Sequence, residues 1–228
     1  MAIVNTQTSA KTLATYCHRL YERSLVGGTE GNVSIRLSGA KVLITPRNKN
    51  KGYLRPQDMI TISMTGRVIT GEEQPSTEYQ LHLEIYEKRP DVQAICHAHP
   101  LYATGFAVAG LPLDKLVLPE IISSLGIIPI SEYGMPGTAE IAQKIRGQII
   151  NHDAILMKNH GALTVGKDLE EAFNRMEMVE RYAEIMFAAM LIGKPQPLSL
   201  SLAKKLPGFD RVKRQIRRTE PTRDNRIK

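Results

Sequence analysis

Along residues 8–25 apolar side chains return every three or four positions: Leu13, Tyr16, Cys17, Leu20 and Tyr21, with Ser24 on the same face. That spacing predicts a helix with one buried stripe. Gly27-Gly28 is expected to end it, because glycine accepts the left-handed conformation at a helix C-terminus. The period then changes to two. Asn32-Val33-Ser34-Ile35-Arg36 alternates like a strand, and Lys41-Val42-Leu43-Ile44-Thr45 follows as its hairpin partner. Residues 46–56 are polar, basic and bracketed by Pro46 and Pro56, which predicts a loop, and residues 59–63 form another strand. A turn-rich segment leads to Pro75 and to a helix from Ser76 to about Lys88, broken by Pro90-Asp91.

In the second half, Ala94-Ile95-Cys96 is a short buried strand that must stop by Pro100, which has no N–H for a ladder. Residues 101–109 are helical and closed by Gly110, residues 111–119 are an apolar loop or short strand, and residues 120–125 form a helical turn. Strands are expected at 127–131 and 154–157, a helix at 138–150, and extended chain at 163–165. Asp168-Leu169-Glu170-Glu171 is a capping box that opens a long helix to about Ile192. Met176, Val179, Tyr182, Ala183 and Met186 line one face of that helix as core. Strands and helices interleave irregularly around at least one hairpin, which predicts a three-layer α/β domain with a mixed sheet.

Composition changes this picture little. The chain has 228 residues, enough for one domain with a sizeable core. It lacks a run of about 20 apolar residues and a secretory leader pattern, so no membrane association is expected. Cys17 and Cys96 are far apart and form no Cys-x-x-Cys pair, which fits reduced thiols in the cytoplasm. The net charge of +7 lies in residues 204–228, where ten Lys or Arg face three Asp or Glu. The body is balanced and gives no reason to expect nucleic acid. The tail offers no aromatic for base stacking beyond Phe209. The expected organisation is a catalytic domain over 1–203 and a basic tail over 204–228, disordered in its last ten residues.

Candidate chemistry centres on His97-Ala98-His99. Residues i and i+2 of a strand face the same side, so two imidazoles stand together at a sheet rim. Such a pair is either a set of metal ligands or two hydrogen-bonded structural histidines. His160 follows the buried run Ile155-Leu156-Met157 and precedes Gly161, so it also sits where a strand ends and is the natural third ligand. Three imidazoles with an open position suit zinc, or another divalent ion such as manganese or cobalt. His18, His82 and His152 are expected to be structural or surface residues. In Gly28-Thr29-Glu30-Gly31-Asn32, glycines such as Gly31 let backbone N–H groups converge on an anion, and Asn32 adds an amide. Pro75-Ser76-Thr77-Glu78 places two hydroxyls and a carboxylate at a helix N-terminus, where an anion is favoured.

Those stretches, with Leu43-Ile44-Thr45-Pro46 and Asn159-His160-Gly161, resemble in order and spacing the motifs of the class II aldolase/adducin family over about residues 8–190. The resemblance implies an α/β/α fold whose central sheet is mixed but largely antiparallel. It implies zinc on His97, His99 and His160, Glu78 as the acid/base, and a sugar phosphate bound with help from Asn32, Ser76 and Thr77. It also implies a cyclic homotetramer with sites at subunit interfaces, to which a neighbour would contribute near Glu120. Where aldolase members carry Thr-Gly after the Thr-Pro, this chain has Arg47-Asn48. Either Arg47, or Lys49 beyond it, meets the anionic end of the substrate, since guanidinium matches phosphate and carboxylate, or the stretch is a solvated basic loop. Epimerase members place aspartate where Glu78 stands, which favours aldol cleavage of a ketose 1-phosphate to dihydroxyacetone phosphate and an aldehyde. Epimerisation, dehydration or decarboxylation of a related sugar phosphate or sugar acid is the alternative. A non-catalytic adducin-like scaffold is the alternative of a different class.

Overall fold

A computed structural model describes residues 6–219; residues 1–5 and 220–228 lie outside the described residues. In chain order the elements are α1 (Thr6–Glu22), β1 (Asn32–Leu37), β2 (Lys41–Ile44), β3 (Ile60–Ser63), β4 (Val68–Thr70), α2 (Tyr79–Lys88) and β5 (Ala94–Ala98). There follow α3 (Leu101–Ala109), α4 (Pro119–Ser124), β6 (Ile130–Ser131), α5 (Ala139–Ile149), β7 (Ala154–Met157), β8 (Gly161–Gly166), α6 (Leu169–Ile192), α7 (Leu200–Ala203) and α8 (Phe209–Thr219). The eight strands form one sheet in the order β4-β3-β2-β1-β5-β8-β7-β6. Each described neighbouring pair is antiparallel except β6–β7, so the sheet is mixed and largely antiparallel as expected.

Strand alternation sorts the core into two layers. Ala94, Cys96 and Ala98 of β5 join the cluster that buries α1, α3 and α6. Ile95 joins Leu163, Val165 and Ile155 under α2 and α5. The result is α/β/α, with His97 on the α2 side of the central strand. Half of the capping box forms: the Asp168 side chain accepts from the Glu171 N–H at 2.8 Å and opens α6, while the Glu171 carboxylate accepts from the Lys167 N–H at 2.7 Å, one residue before the cap. Met176 and Val179 are fully buried along it. Each stabilises the fold by roughly 1.5–3 kcal/mol. No described helix is long and apolar enough to cross a membrane.

The departures from expectation are local. The first helix ends at Glu22 because Ser24 takes φ +55° and Leu25 N–H returns to the Leu20 carbonyl, a Schellman closure that precedes Gly27. Strand β4 is short and fully exposed, so no alternation marked it. The strand expected over 127–131 shrinks to two residues, while Ile128 pairs with Leu113 in an isolated bridge. Ser76, Thr77 and Glu78 precede α2 rather than lying in it.

Packing continues past residue 203. Phe209 and Val212 of α8 are buried with Ile122 and Ala203. Gln215 is buried too, donating to the Leu125 carbonyl at 3.0 Å and accepting from the Ile127 N–H at 2.9 Å. The count of basic residues concealed this buried face of a helix. The disorder expected for the last ten residues falls, apart from Thr219, outside the described residues.

Candidate active site

β5 hydrogen-bonds between β1 and β8, and this fixes where its C-terminal end lies. Asn32 stands opposite His97 in the β1–β5 register, and Ala98 stands opposite Ala162 in β8. His160 occupies the turn from β7 to β8, where Asn159 takes φ +54°. Gly161 lets that turn close on the first pair: a Cβ there would lie 2.6 Å from the Ala98 carbonyl oxygen and 2.6 Å from the His99 ring. Gly31, at φ +70°, lets the preceding loop pass the His97 carbonyl, 2.8 Å from where its Cβ would stand.

The three imidazoles meet nearly symmetrically, with ring centroids 4.7, 4.8 and 4.9 Å apart. His97 donates through Nδ1 to the Ala162 carbonyl at 2.9 Å, which leaves the Nε2 lone pair facing the centre. His99 Nδ1 meets Glu30 Oε2 at 3.2 Å, and its Nε2 lies 3.1 Å from His97 Nε2. That spacing is close to the roughly 3.3 Å edge of a tetrahedron with zinc–nitrogen bonds of about 2.0–2.1 Å. Glu78 spans the other side, Oε2 3.2 Å from His97 Nε2 and Oε1 3.4 Å from His160 Nε2. Glu78 Oε1 is sealed from water and has no hydrogen-bond partner among the described residues. Converging lone pairs with an orphaned carboxylate oxygen are what a cation would satisfy, so the donor set fits a divalent metal.

The electrostatics agree. Burial lowers the His99 imidazole to about 3, with further repulsion from His97 and His160. It lowers His160 to about 4, with His97 again adding. Both are therefore neutral ligands near pH 7. Burial also opposes charge on His97, yet facing Glu78 raises its proton affinity above the ordinary value. Burial raises the Glu78 carboxyl, but His97, His160 and the Asn32 amide outweigh it and hold the group well below the usual carboxylate range. The carboxylate of Glu78 thus favours positive charge inside the cluster, which a bound metal would supply.

A hydrogen-bonded chain unexpected from sequence holds Glu78 in place. His82 is fully buried, not on the surface. Its Nε2 donates to Asn32 Oδ1 at 2.5 Å, and Asn32 Nδ2 donates to Glu78 Oε2 at 2.8 Å. His82 Nδ1 in turn accepts from Ser34 Oγ at 2.6 Å, and Ser34 meets the Tyr86 hydroxyl at 2.8 Å. Burial lowers His82 to about 3, so it is neutral and serves as both donor and acceptor. The only sequence signal was its position one turn after Glu78, on a face that also carries Tyr86. His18 and His152 are structural as expected, bonding to the Leu54 and Gln148 carbonyls.

Beside the triad lies a cavity of about 200 Å³ lined by Gly31, Asn32, Arg47, Asn48, Ser76, Thr77, Glu78, His99 and His160. The structure therefore places Gly31, Asn32, Arg47, Asn48, Ser76 and Thr77, six candidate substrate contacts, around one cavity. Two backbone bonds, Arg47 N–H to Gln74 and Ser76 N–H to Thr45, pin the loop after β2 against the segment before α2. Arg47 reaches the wall; Lys49 instead pairs with Glu73 at 2.8 Å. Lys51, unremarked in the sequence, is buried against the same cavity, donating to the Thr29 and Lys49 carbonyls at 3.0 and 2.9 Å. Glu30 was noted only as part of a glycine-rich turn, and it orients His99. Glu120 lies exposed on α4 and does not line the cavity.

Fold and site together define a metal-dependent enzyme with a three-histidine, one-carboxylate centre opening on a small polar cavity. The chain belongs to the class II aldolase/adducin family, whose model, Class II Aldolase and Adducin N-terminal domain, matches residues 11–187. With the three imidazoles and Glu78 in place, it is a metal-dependent lyase of that family. It is 36% identical over 171 residues to an L-fuculose phosphate aldolase of Methanococcus maripaludis, covering 75% of this chain and 92% of that one. It is 31% identical over 175 residues to a 3-oxo-tetronate 4-phosphate decarboxylase of Haemophilus influenzae, covering 73% and 81%. Among solved structures, an L-fuculose 1-phosphate aldolase superposes with a TM-score of 0.81 at 31% identity, covering 90% of this chain and 94% of that one.

Proposed function

We propose that the protein is a zinc-dependent aldolase that cleaves a ketose 1-phosphate of the L-fuculose 1-phosphate type to dihydroxyacetone phosphate and an aldehyde. The observation that carries this reading is the placement of Glu78 between the triad and the hydroxyls of Ser76 and Thr77 in one cavity. Zinc on His97, His99 and His160, when bound, supplies the Lewis acid that draws charge onto the ketose carbonyl and neighbouring hydroxyl. The Ser76 and Thr77 hydroxyls and the backbone at Gly31 hold the phosphate. Asn32, fixed by His82, aims Glu78. In cleavage the carbon–carbon bond breaks as the hydroxyl on the departing carbon gives its proton to a base and becomes the aldehyde. The Glu78 carboxyl, protonated for this step, delivers a proton to the carbon left beside the carbonyl; in condensation its carboxylate takes that proton back. Arg47 and Asn48, on the same cavity wall, add to the contacts at the phosphate.

The active assembly is a homotetramer in this reading. In support, Leu101, Phe106, Leu111, Phe187, Met190 and Leu191 line an apolar groove of about 640 Å³ between α3 and the end of α6. A neighbouring chain would bring its Glu120 to the cavity. Leu116, Val117 and Leu118, just before Glu120, pack partly buried on this chain's own core. Two buried free thiols accord with a cytoplasmic setting.

The test is a panel of phosphorylated ketoses incubated with metal-loaded protein, with dihydroxyacetone phosphate measured. Release from at least one is expected. A second reading, decarboxylation of a phosphorylated 3-oxo acid, is favoured by Arg47, a cavity-lining guanidinium suited to a carboxylate. Carbon dioxide from such acids, with no triose phosphate from any ketose, would replace the first reading by the second.

A further inference from the structure

The opposite end of β5 holds a second polar cluster that the reaction does not use. Val92 and Gly166 floor a cavity of about 740 Å³, within the size range of small-ligand sites. It lies roughly 20 Å from His99, at about 3.3 Å of rise per strand residue. Its frame is internally paired. Arg89 binds Asp91 at 2.7 Å and Asp153 at 2.9 Å, and gives a third bond to the Ile149 carbonyl. Arg175 binds Asp153 at 3.2 Å and Glu171 at 3.0 Å.

Three further cations line the same space: Lys167, Arg211 and Arg214. Arg211 approaches Asp153 only at 3.7 Å, and that carboxylate already serves two other arginines. Its Nη1 is sealed from water without any hydrogen-bond partner among the described residues. A buried charged donor left so disfavours the empty site. Burial, and crowding by Arg175 and Arg214, push the Arg211 guanidinium below its ordinary proton affinity despite Asp153. Among the described residues lining the cavity, the five cations exceed the three carboxylates Asp91, Asp153 and Glu171 by two charges.

We infer that this cavity is a binding site for a small phosphate monoester or inorganic phosphate, held by Arg211, Arg214 and Lys167. The surplus of two matches a phosphate dianion, and guanidinium donors match its oxygens pairwise. The paired frame of Arg89 and Arg175 keeps the site rigid when empty. The site shares no residue with the catalytic cavity, so it stands whichever reaction that cavity performs.

The experiment is equilibrium dialysis of inorganic phosphate, and separately of glycerol 3-phosphate, against full-length metal-loaded protein at constant ionic strength. Phosphate bound per chain is expected to fall by one site in R211Q. In R214Q the same site is expected to weaken about tenfold or more. Arg214 is exposed, so R214Q keeps the test valid if R211Q fails to fold. Phosphate isotherms in R214Q that match wild type would overturn the site. Loss of phosphate but not of glycerol 3-phosphate binding would overturn the monoester and leave an inorganic anion as the ligand.

Discussion

The two ends of β5 carry polar clusters of opposite design. At one end three imidazoles, two of them neutral near pH 7, turn lone pairs inward around one carboxylate. At the other, guanidinium groups turn donors inward around three carboxylates. Imidazole gives up its proton under burial and becomes an acceptor, which suits a cation. Guanidinium keeps its charge and has only donors, which suits an anion. The same strand thus supports a metal at one end and a charge lattice at the other, and disturbing each should have different consequences.

The largest effect is expected from His97→Ala. Elemental analysis should find most of the metal gone and turnover at background; full metal occupancy would remove the triad from the mechanism. Next comes Glu78→Gln, which keeps shape and metal but removes the base. Its kcat should fall by about 100-fold or more. Normal turnover with metal bound would show that another group moves the proton. At the opposite end, Asp153→Asn leaves Arg89, Arg175 and Arg211 without their shared partner, at a site where the carboxylate is only 14% exposed. A stability loss on the order of 3 kcal/mol is expected, a drop of roughly 6–12 °C in Tm. Turnover per folded molecule should not change.

The pH response should separate the ends further. Folded His82 is protonated only near pH 3, against an ordinary value of 6.5. Between those values the unfolded chain binds more protons, so stability is lost as pH falls from about 6.5 toward 3. From pH 7 to pH 5 the loss attributable to His82 is about 2 kcal/mol in metal-free protein. His82→Gln should flatten that slope in denaturant titrations, and an unaltered slope would place the titration elsewhere. The smallest effect is expected from Arg47→Ala, a rise in KM of about tenfold with kcat nearly constant. An unchanged KM would leave Arg47 a solvated wall residue.

Much of this protein was determined by its sequence alone, wherever the cause is local. Alternation marked β1, its hairpin partner β2 and β3 followed, continuous apolar runs marked β5 and β7, and the cap at Asp168 marked the start of α6, because those signals act within a few residues. The strand-end positions of His97, His99 and His160 and the Ser76-Thr77-Glu78 order also stood in the linear chain. Tertiary structure decided what depends on residues far apart. His82 became a buried link because Asn32, 50 positions away, and Ser34, 48 away, fold against it. Lys51 became a cavity wall through the Thr29 carbonyl, and Glu30 an orienting group through His99. The basic segment after residue 203 became a docked helix because Phe209 and Val212 found Ile122. Periodicity reports which face of an element is apolar, but not what will cover it. Burial turns a histidine from a surface base into a neutral link, and burial is settled only when distant segments meet.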